Sequence, residues 1–306
     1  MENNDLIRKE LLARVADLHA VPEGAYNLRE NSRGAGRRST DDIRIDTKPD
    51  APGIIITVRD GVKNQSVHIP VIITESGITE TVYNDFFIGC DCDVLIVAGC
   101  GIHNGGDAPS AHDGVHTLRI GERSHVKYVE KHFAEGVGGR SMKPKMFVDL
   151  APGATIEIET VQLGGVSASE RETTVTAREG STVLINERIM TSGDETVSSK
   201  TDVELCGDGS SARINSRSVA RGASHQIFYP AITGNADCFG HVQCDSVIMD
   251  TATVRSIPEI TANDVNARLI HEAAIGRIAG DQILKLMTLG LTAEEAEERI
   301  ISGLMK

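Results

Sequence analysis

Tryptophan is absent from this sequence, and aromatic residues make up only 3% of its 306 positions. Sugar-processing sites usually rest on exposed aromatic platforms, so this scarcity weighs against them. No run approaches eighteen apolar residues, which argues against a membrane-spanning helix and a membrane partner. Positive net charge is also missing. The balance is −13 at neutral pH, which would repel a phosphate backbone, so no nucleic-acid partner is expected. Met1 to Asp5 offers neither a basic nor an apolar segment, so no signal peptide is expected and the predicted location is cytoplasmic. Six cysteines in so long a chain make no disulfide framework and read as reduced thiols, a few of them ligands. Gly34-Ala35-Gly36 lacks the Lys-Ser/Thr of a phosphate-binding loop, so this chain is expected to bind no nucleotide.

What the chain has instead is valine, isoleucine, threonine and small residues, a mixture suited to stacked short strands. Between about Ile43 and Arg255 no convincing helix is read. One phrase recurs: a short apolar strand, a glycine-containing turn, then an alternating strand. It occupies residues 87–97, 117–130, 149–160, 176–187 and 204–215. The first apolar residue after each turn is Val94, Val126, Ile156, Val183 and Ala212, at steps of 32, 30, 27 and 29. A near-constant period with one turn per repeat predicts a solenoid. Each repeat is too poor in apolar residues to close its own core, so stacking must bury them. A β-sandwich with regular turns is the alternative.

The ends read differently. Asn4 to His19 predicts an amphipathic helix with Leu6, Ile7, Leu11, Val15 and Leu18 on one face, capped by Asn4 or Asp5 and ended by Pro22 and Gly24. Gly24 to Asp50 reads as a polar loop whose Arg29, Arg33, Arg37 and Arg38 are either solvated or a phosphate site. His271 to Leu289 predicts a helix with Ile275, Ile278, Ile283 and Leu286 at helical spacing, and Gly290 as its C′ residue. Thr292 with Glu295 predicts a capping box for a second helix, Thr292 to Leu304. The expected units are therefore 1–42, 43–262 and 263–306.

Several residues carry chemistry. Cys244 sits in a polar, turn-like context. His271 and Glu272 place an imidazole beside a carboxylate where strand gives way to helix. Thiolate, imidazole and carboxylate are the usual ligands of a borderline metal; the plain alternative makes Cys244 a structural thiol. Cys100 precedes a glycine-rich segment holding His103, His112 and His116, a candidate metal site or a set of surface histidines. Cys90 and Cys92 would share a strand face, as ligands or as small core residues. Cys206 reads as structural. His241 shares a strand face with neither Cys238 nor Cys244. A rival enzyme reading takes a carboxylate pair from Glu157 and Glu159, Glu170 and Glu172, or Glu187.

Gln-Cys-Asp-Ser at 243–246, Ile-Pro-Glu at 257–259, Ala-Arg-Leu-Ile-His-Glu-Ala-Ala at 267–274, Ile-Gly-Arg-Ile at 275–278 and Gly-Asp-Gln at 280–282 follow in order. This run, with Thr288-Leu289-Gly290-Leu291 and Ile300-Ile301-Ser302-Gly303, resembles the SufB/SufD family, the scaffolds of the SUF iron–sulfur cluster assembly system. The likeness is specific over roughly the last seventy residues and looser back to about residue 85. It implies a mainly β fold, a right-handed parallel β-helix with an N-terminal helix and a C-terminal helical region. It also implies a short SufB-like scaffold rather than an enzyme. Cys244, His271 and Glu272 match the family's cluster-assembly cysteine and His-Glu pair. Cys100 resembles the family's sulfur-accepting cysteine, although its flanking residues depart from the pattern. The implied cofactors are a transient iron–sulfur cluster and iron. The implied partners are a SufC-like ABC-type ATPase docked on the C-terminal helices, a second copy or a paralogous scaffold, a sulfur donor and apo-protein acceptors. A structural SufD-like partner without cluster ligands is the alternative role.

Overall fold

Alternating apolar and polar residues give a strand one face that must be buried. A chain made almost wholly of such strands can bury them all by coiling, so that each turn covers the one before. The computed structural model, which describes residues 2–16, 22, 24–162 and 164–305, shows that solution: a β-solenoid of about eight turns.

The chain opens with α1 (Glu2–Ala16), β1 (Ala25–Glu30), β2 (Arg33–Arg38), β3 (Ile43–Thr47) and β4 (Gly53–Val58). The coil proper follows as β5 (Gln65–Ile73), β6 (Thr79–Ile88), β7 (Asp93–Asn104), β8 (Ser110–Ile120) and β9 (His125–Gly136). It continues through β10 (Arg140–Met142), β11 (Lys145–Leu150), β12 (Thr155–Gln162), β13 (Ala168–Ala177) and β14 (Thr182–Thr191). Then come β15 (Thr196–Leu205), β16 (Ser211–Ala220), β17 (His225–Gly234), β18 (Phe239–Ile248), β19 (Thr253–Ser256), β20 (Glu259–Ala262) and β21 (Arg268–Gly276). Two helices close the chain, α2 (Gly280–Met287) and α3 (Ala293–Leu304). Successive strands of the coil fall alternately into two sheets. The first runs β2-β1-β5-β7-β9-β12-β14-β16-β18-β21, and the second β19-β17-β15-β13-β10-β8-β6-β4-β3, with β11 and β20 sharing positions in it.

The predicted repeat is the register of the first sheet. Val94 pairs with Val126, Val126 with Ile156, Ile156 with Val183 and Val183 with Ala212. All five side chains are buried in the shared core. Burying an aliphatic side chain of this size contributes roughly 1.5–3 kcal/mol, repeated at every turn. Glycine matters where one turn crosses the next. Gly165 has φ +75°, and a Cβ there would lie 1.7 Å from the Ala134 carbonyl oxygen.

Three expectations are corrected. The stretch from Gly24 to Asp50 is not a loop: it contains β1, β2 and β3, and the hairpins β1–β2 and β3–β4 are antiparallel. Glycine-rich β2 has no apolar alternation to betray it. Arginines of both strands of this hairpin act as clamps, Arg29 of β1 on Glu80 at 2.7 Å and Arg38 of β2 on the Gly24 carbonyl at 2.8 Å. His271 to Gly276 is strand, not helix, because Leu269, His271 and Ala273 continue the inner face of β18 for one more turn. Around Cys100 the glycines divide: Gly105 and Gly106 lie in the connection from β7 to β8, but Gly99 and Gly101 are strand. Gly99 and Gly101 lie in β7 with their Cα atoms outward, where Cβ atoms would meet the Val15 carbonyl at 2.5 Å and the Leu11 side chain at 3.1 Å. They admit α1 against the sheet, where Val15 and Ala16 pack on Val97. Residues 17–19 of the expected N-terminal helix, Leu18 among them, lie outside the described residues. The expected capping residues Asn4 and Asp5 fall inside α1, which begins at Glu2.

The two ends of the solenoid are unlike. At the N-terminal end β3 buries Ile43 and Ile45 over the core. At the C-terminal end β21 is the last strand of its sheet, and Ile257, Ile260, Ile270 and Ile275 are exposed. The capping box predicted for α3 is present: Thr292 Oγ1 accepts from Glu295 N and Glu295 Oε2 accepts from Thr292 N.

Candidate metal centre

The open end of the solenoid holds the residues that the sequence singled out. Cys244 lies in the middle of β18, paired with Ser216 of β16 and Ala273 of β21. It faces inward and is 1% exposed. The polar context that suggested a turn is the outer face of the strand, Gln243 and Asp245, where the Gln243 amide donates to Asp245 at 2.7 Å. Burial pushes the Cys244 thiol up; the Ser256 hydroxyl opposes this, and the charges of Glu187 and Asp245 add to it. His271 pairs with Val242 and so shares the inner face with Cys244, one strand on. Its Nε2 is buried without a hydrogen-bond partner. Burial, and then the neighbouring His241, lower its proton affinity. A neutral imidazole with an unused lone pair is the ligating form.

Glu272 pairs with Gln243 and therefore faces outward, away from Cys244. There it stands 3.5 Å from His241 Nε2. The last two strands thus divide four ligating groups between two faces, Cys244 with His271 inside and His241 with Glu272 outside. Among the described residues, no three such groups are already gathered as a metal cluster. His241 was passed over in the sequence because it shares no strand face with Cys244. The signal that finds it is the repeat length, which sets residue 243 beside residue 272.

Cys100 is elsewhere. It faces inward on β7, paired with Val71 and His132. Five strand spacings separate it from Cys244 along the sheet, about 24 Å at the usual separation of neighbouring strands. Burial pushes its thiol well above the ordinary range, and the charges of Glu80, Glu130 and Asp113 add to that. His112 and His116 face inward on β8, both buried. His103 does not join them: it lies on the outer side of β7, with Nδ1 3.0 Å from Glu135. Of the other cysteines, Cys92 is buried, its thiol donating to the Arg59 carbonyl, while Cys90 sits in a turn beside Asp91 at φ +55° and shares no strand face with it. Cys206 is exposed and Cys238 buried.

Sequence reading also missed a buried polar network halfway along the interior. Arg171 donates to Glu130 at 2.6 Å and approaches His132 at 3.3 Å. Against the burial that would raise it, Arg171 and His132 hold the Glu130 carboxyl well below its usual range. Glu187 accepts from Ser199 at 2.6 Å and from Ser216 at 3.1 Å, and burial raises its carboxyl. The rival carboxylate pairs are each tied up on neighbouring turns: Glu157 with His125, Glu159 with Lys127, Glu170 with Lys143 and Glu172 with Lys145.

The chain is similar to known proteins over most of its length. A family profile described as "SUF system FeS cluster assembly, SufBD core domain" matches residues 89–304. A protein of Methanocaldococcus jannaschii named as an iron-sulfur cluster assembly SufBD family protein is 28% identical over 253 residues, covering 82% of this chain and 79% of its own. One of the same description from Archaeoglobus fulgidus is 26% identical, covering 80% of this chain and 62% of its own. Another, from Pyrococcus horikoshii, is 30% identical, covering 64% and 60%. This chain therefore spans less than two thirds of the latter two relatives.

Proposed function

We propose, because this chain belongs to the SufBD family of iron–sulfur cluster assembly proteins, that it is a cytoplasmic scaffold on which a nascent cluster is built at its open C-terminal end. The observation that carries this reading is the pairing there of the Cys244 thiol with the unpartnered His271 Nε2 on adjacent strands. Ferrous iron and sulfide are the cargo. Cys244 supplies a thiolate once its proton is displaced by the metal, and His271 an imidazole. Glu272, with His241 beside it, supplies harder ligands from the outer face. Mixed ligation of this kind holds a cluster less firmly than four thiolates, which suits transfer.

One chain offers too few inward ligands, so a second copy or a paralogous scaffold completes the site across the open end. The unpaired edge of β21 and the exposed Ile257 and Ile260 favour such pairing. A SufC-like ABC-type ATPase docks on α2 and α3, where Leu284, Met287 and Leu289 are exposed. Its closure on ATP is the rigid-body motion that would open the interface. Cys100 accepts the outer sulfur of a persulfide on a donor protein, whose own cysteine leaves as a thiolate, and finished clusters pass to apo-protein acceptors. The scaffold itself performs no catalysis.

The test is anaerobic reconstitution with ferrous iron and sulfide in the presence of the ATPase, read by Mössbauer spectroscopy and bound iron. Cys244→Ala and His271→Ala are expected to lose most of the cluster while keeping their fold and ATPase binding. Unchanged cluster content in both would sink the assignment and leave the chain as a structural, SufD-like partner.

A further inference from the structure

Opposite charges on the outside of this solenoid meet across neighbouring strands. His125 stands 3.3 Å from Asp93 on one neighbour and 3.0 Å from Glu157 on the other. Lys127 meets Glu159 at 2.8 Å, and on the second sheet Lys145 meets Glu172 at 2.7 Å. Uncharged polar groups behave alike: the Asn215 amide of β16 donates to Asn186 of β14 at 2.9 Å.

Two residues further along those same strands the pattern breaks. Arg188 of β14 stands directly beside Arg217 of β16. The alternation buries Glu187, Ile189, Ser216 and Ser218, and turns Arg188 and Arg217 outward, half-buried and exposed. Like charges in opposed positions cost stability, and no neighbour offsets that cost. On its other side Arg188 has Val161, and the carboxylate diagonal to it, Glu159, is held by Lys127. On its other side Arg217 has Asp245, whose carboxylate accepts from the Gln243 amide at 2.7 Å. Arg213, exposed on the same face of β16, lies between Leu184 and His241. Among the described residues, Arg188, Arg213 and Arg217 make no ion pair and no hydrogen bond. Three guanidiniums against the one carboxylate of Asp245 leave an excess of two positive charges, on a chain whose net charge is −13.

The shape of this patch limits what it takes. Arg188 and Arg217 are one strand spacing apart, about 4.8 Å, while Arg213 stands four residues from Arg217, about 13 Å along the strand. The backbone groups of β14 and β16 are committed to ladders with β12, with one another and with β18. These strands therefore offer no nest of free N–H groups for a single phosphate. A nucleic acid would meet the repulsion of the whole acidic chain. A flat, spread set of guanidiniums matches carboxylates carried along one face of a protein segment, and arginine is enriched at such interfaces.

We propose that Arg188, Arg213 and Arg217 form a docking patch for an acidic segment of a partner protein, whose carboxylates supply the counter-charges missing from the sheet. The patch uses neither the terminal ligands nor α2 and α3, so it stands or falls independently of the terminal cluster site.

The probe is a fluorescein-labelled hexaglutamate peptide, titrated with the full chain and read by fluorescence anisotropy. Binding at low salt that weakens as chloride screens it is expected. Arg188→Glu sets a carboxylate beside Arg217, so it should raise Tm and weaken the peptide at least tenfold. A gain in stability with a loss of binding separates a docking patch from a structural one. Arg213→Glu should weaken binding without that rise in Tm. Arg255→Glu, at an exposed arginine of β19 in the other sheet, should leave binding within twofold of wild type. Absence of binding by the wild-type chain overturns the proposal. So does an equal loss in Arg255→Glu, which reduces the effect to general attraction. Displacement of the peptide by inorganic phosphate at matched ionic strength overturns it in favour of a small-anion site. A Tm lowered by Arg188→Glu overturns the like-charge argument itself.

Discussion

Cys244 and Glu187 show how much a single side chain owes to its neighbours along the coil. Glu187 pairs with Ser216, and Ser216 with Cys244, in one inward column. Burial raises the Glu187 carboxyl. A carboxyl raised on folding holds its proton longer in the native state than in the unfolded one. Its penalty is therefore absent below the unfolded value, near 4.5, and grows as pH rises through the folded value. Glu187→Gln is accordingly expected to raise Tm at neutral pH, with the gain shrinking as pH falls toward 4.5. A Tm lower than wild type at pH 7.5 would contradict this. The same change removes a charge that disfavours the Cys244 thiolate, so iodoacetamide should label the Cys244 peptide faster in the variant. Cys244, His271 and Glu272 could be singled out as candidates because motif words name residues. Glu187 was not, because nothing in a lone glutamate between Asn186 and Arg188 says that it faces inward.

At the scale of elements, the strands of the coil were readable and their ends were not. Ile275 and Ile278 have helical spacing, yet Ile275 is in β21 and pairs with Ser246 of β18. A ready-made edge on the previous turn outweighs local periodicity, because extending the sheet satisfies backbone groups at once. The hairpin β1–β2 was missed for the opposite reason: its sequence has no alternation, and it forms because β5 offers β1 a parallel partner. The helix at the extreme C-terminus depends on local chemistry instead. Thr292→Ala removes the side-chain acceptor of the capping box and is expected to cost about 1 kcal/mol. Faster hydrogen exchange confined to the first turn of α3, with the solenoid unchanged, is the expected reading.

At the scale of the whole molecule, the open end is the dominant asymmetry. One end is closed by antiparallel strands that bury Ile43 and Ile45; the other exposes an edge and apolar side chains. An exposed edge invites pairing, and charge on it prevents pairing. Replacing Ile257 and Ile260 together by lysine alters only exposed positions, so the fold should persist. Light scattering is expected to show the mass falling to that of one chain, with reconstituted iron falling with it. A variant that remains paired and loads iron normally would remove the open end from the proposed interface.

The sequence by itself determined the solenoid and its period, because stacked turns repeat the same burial requirement and each repeat is written locally. The spacing of Val94, Val126, Ile156, Val183 and Ala212 along the chain is the register they take in the sheet. Only the tertiary structure decided which face each ligand takes. It put His271 inside with Cys244 and Glu272 outside with His241, parted His103 from His112 and His116, and gathered Tyr128, Glu130, His132 and Arg171 into one buried network. Those pairings join residues on different turns, and whether two turns align to the residue depends on the length of every loop between them.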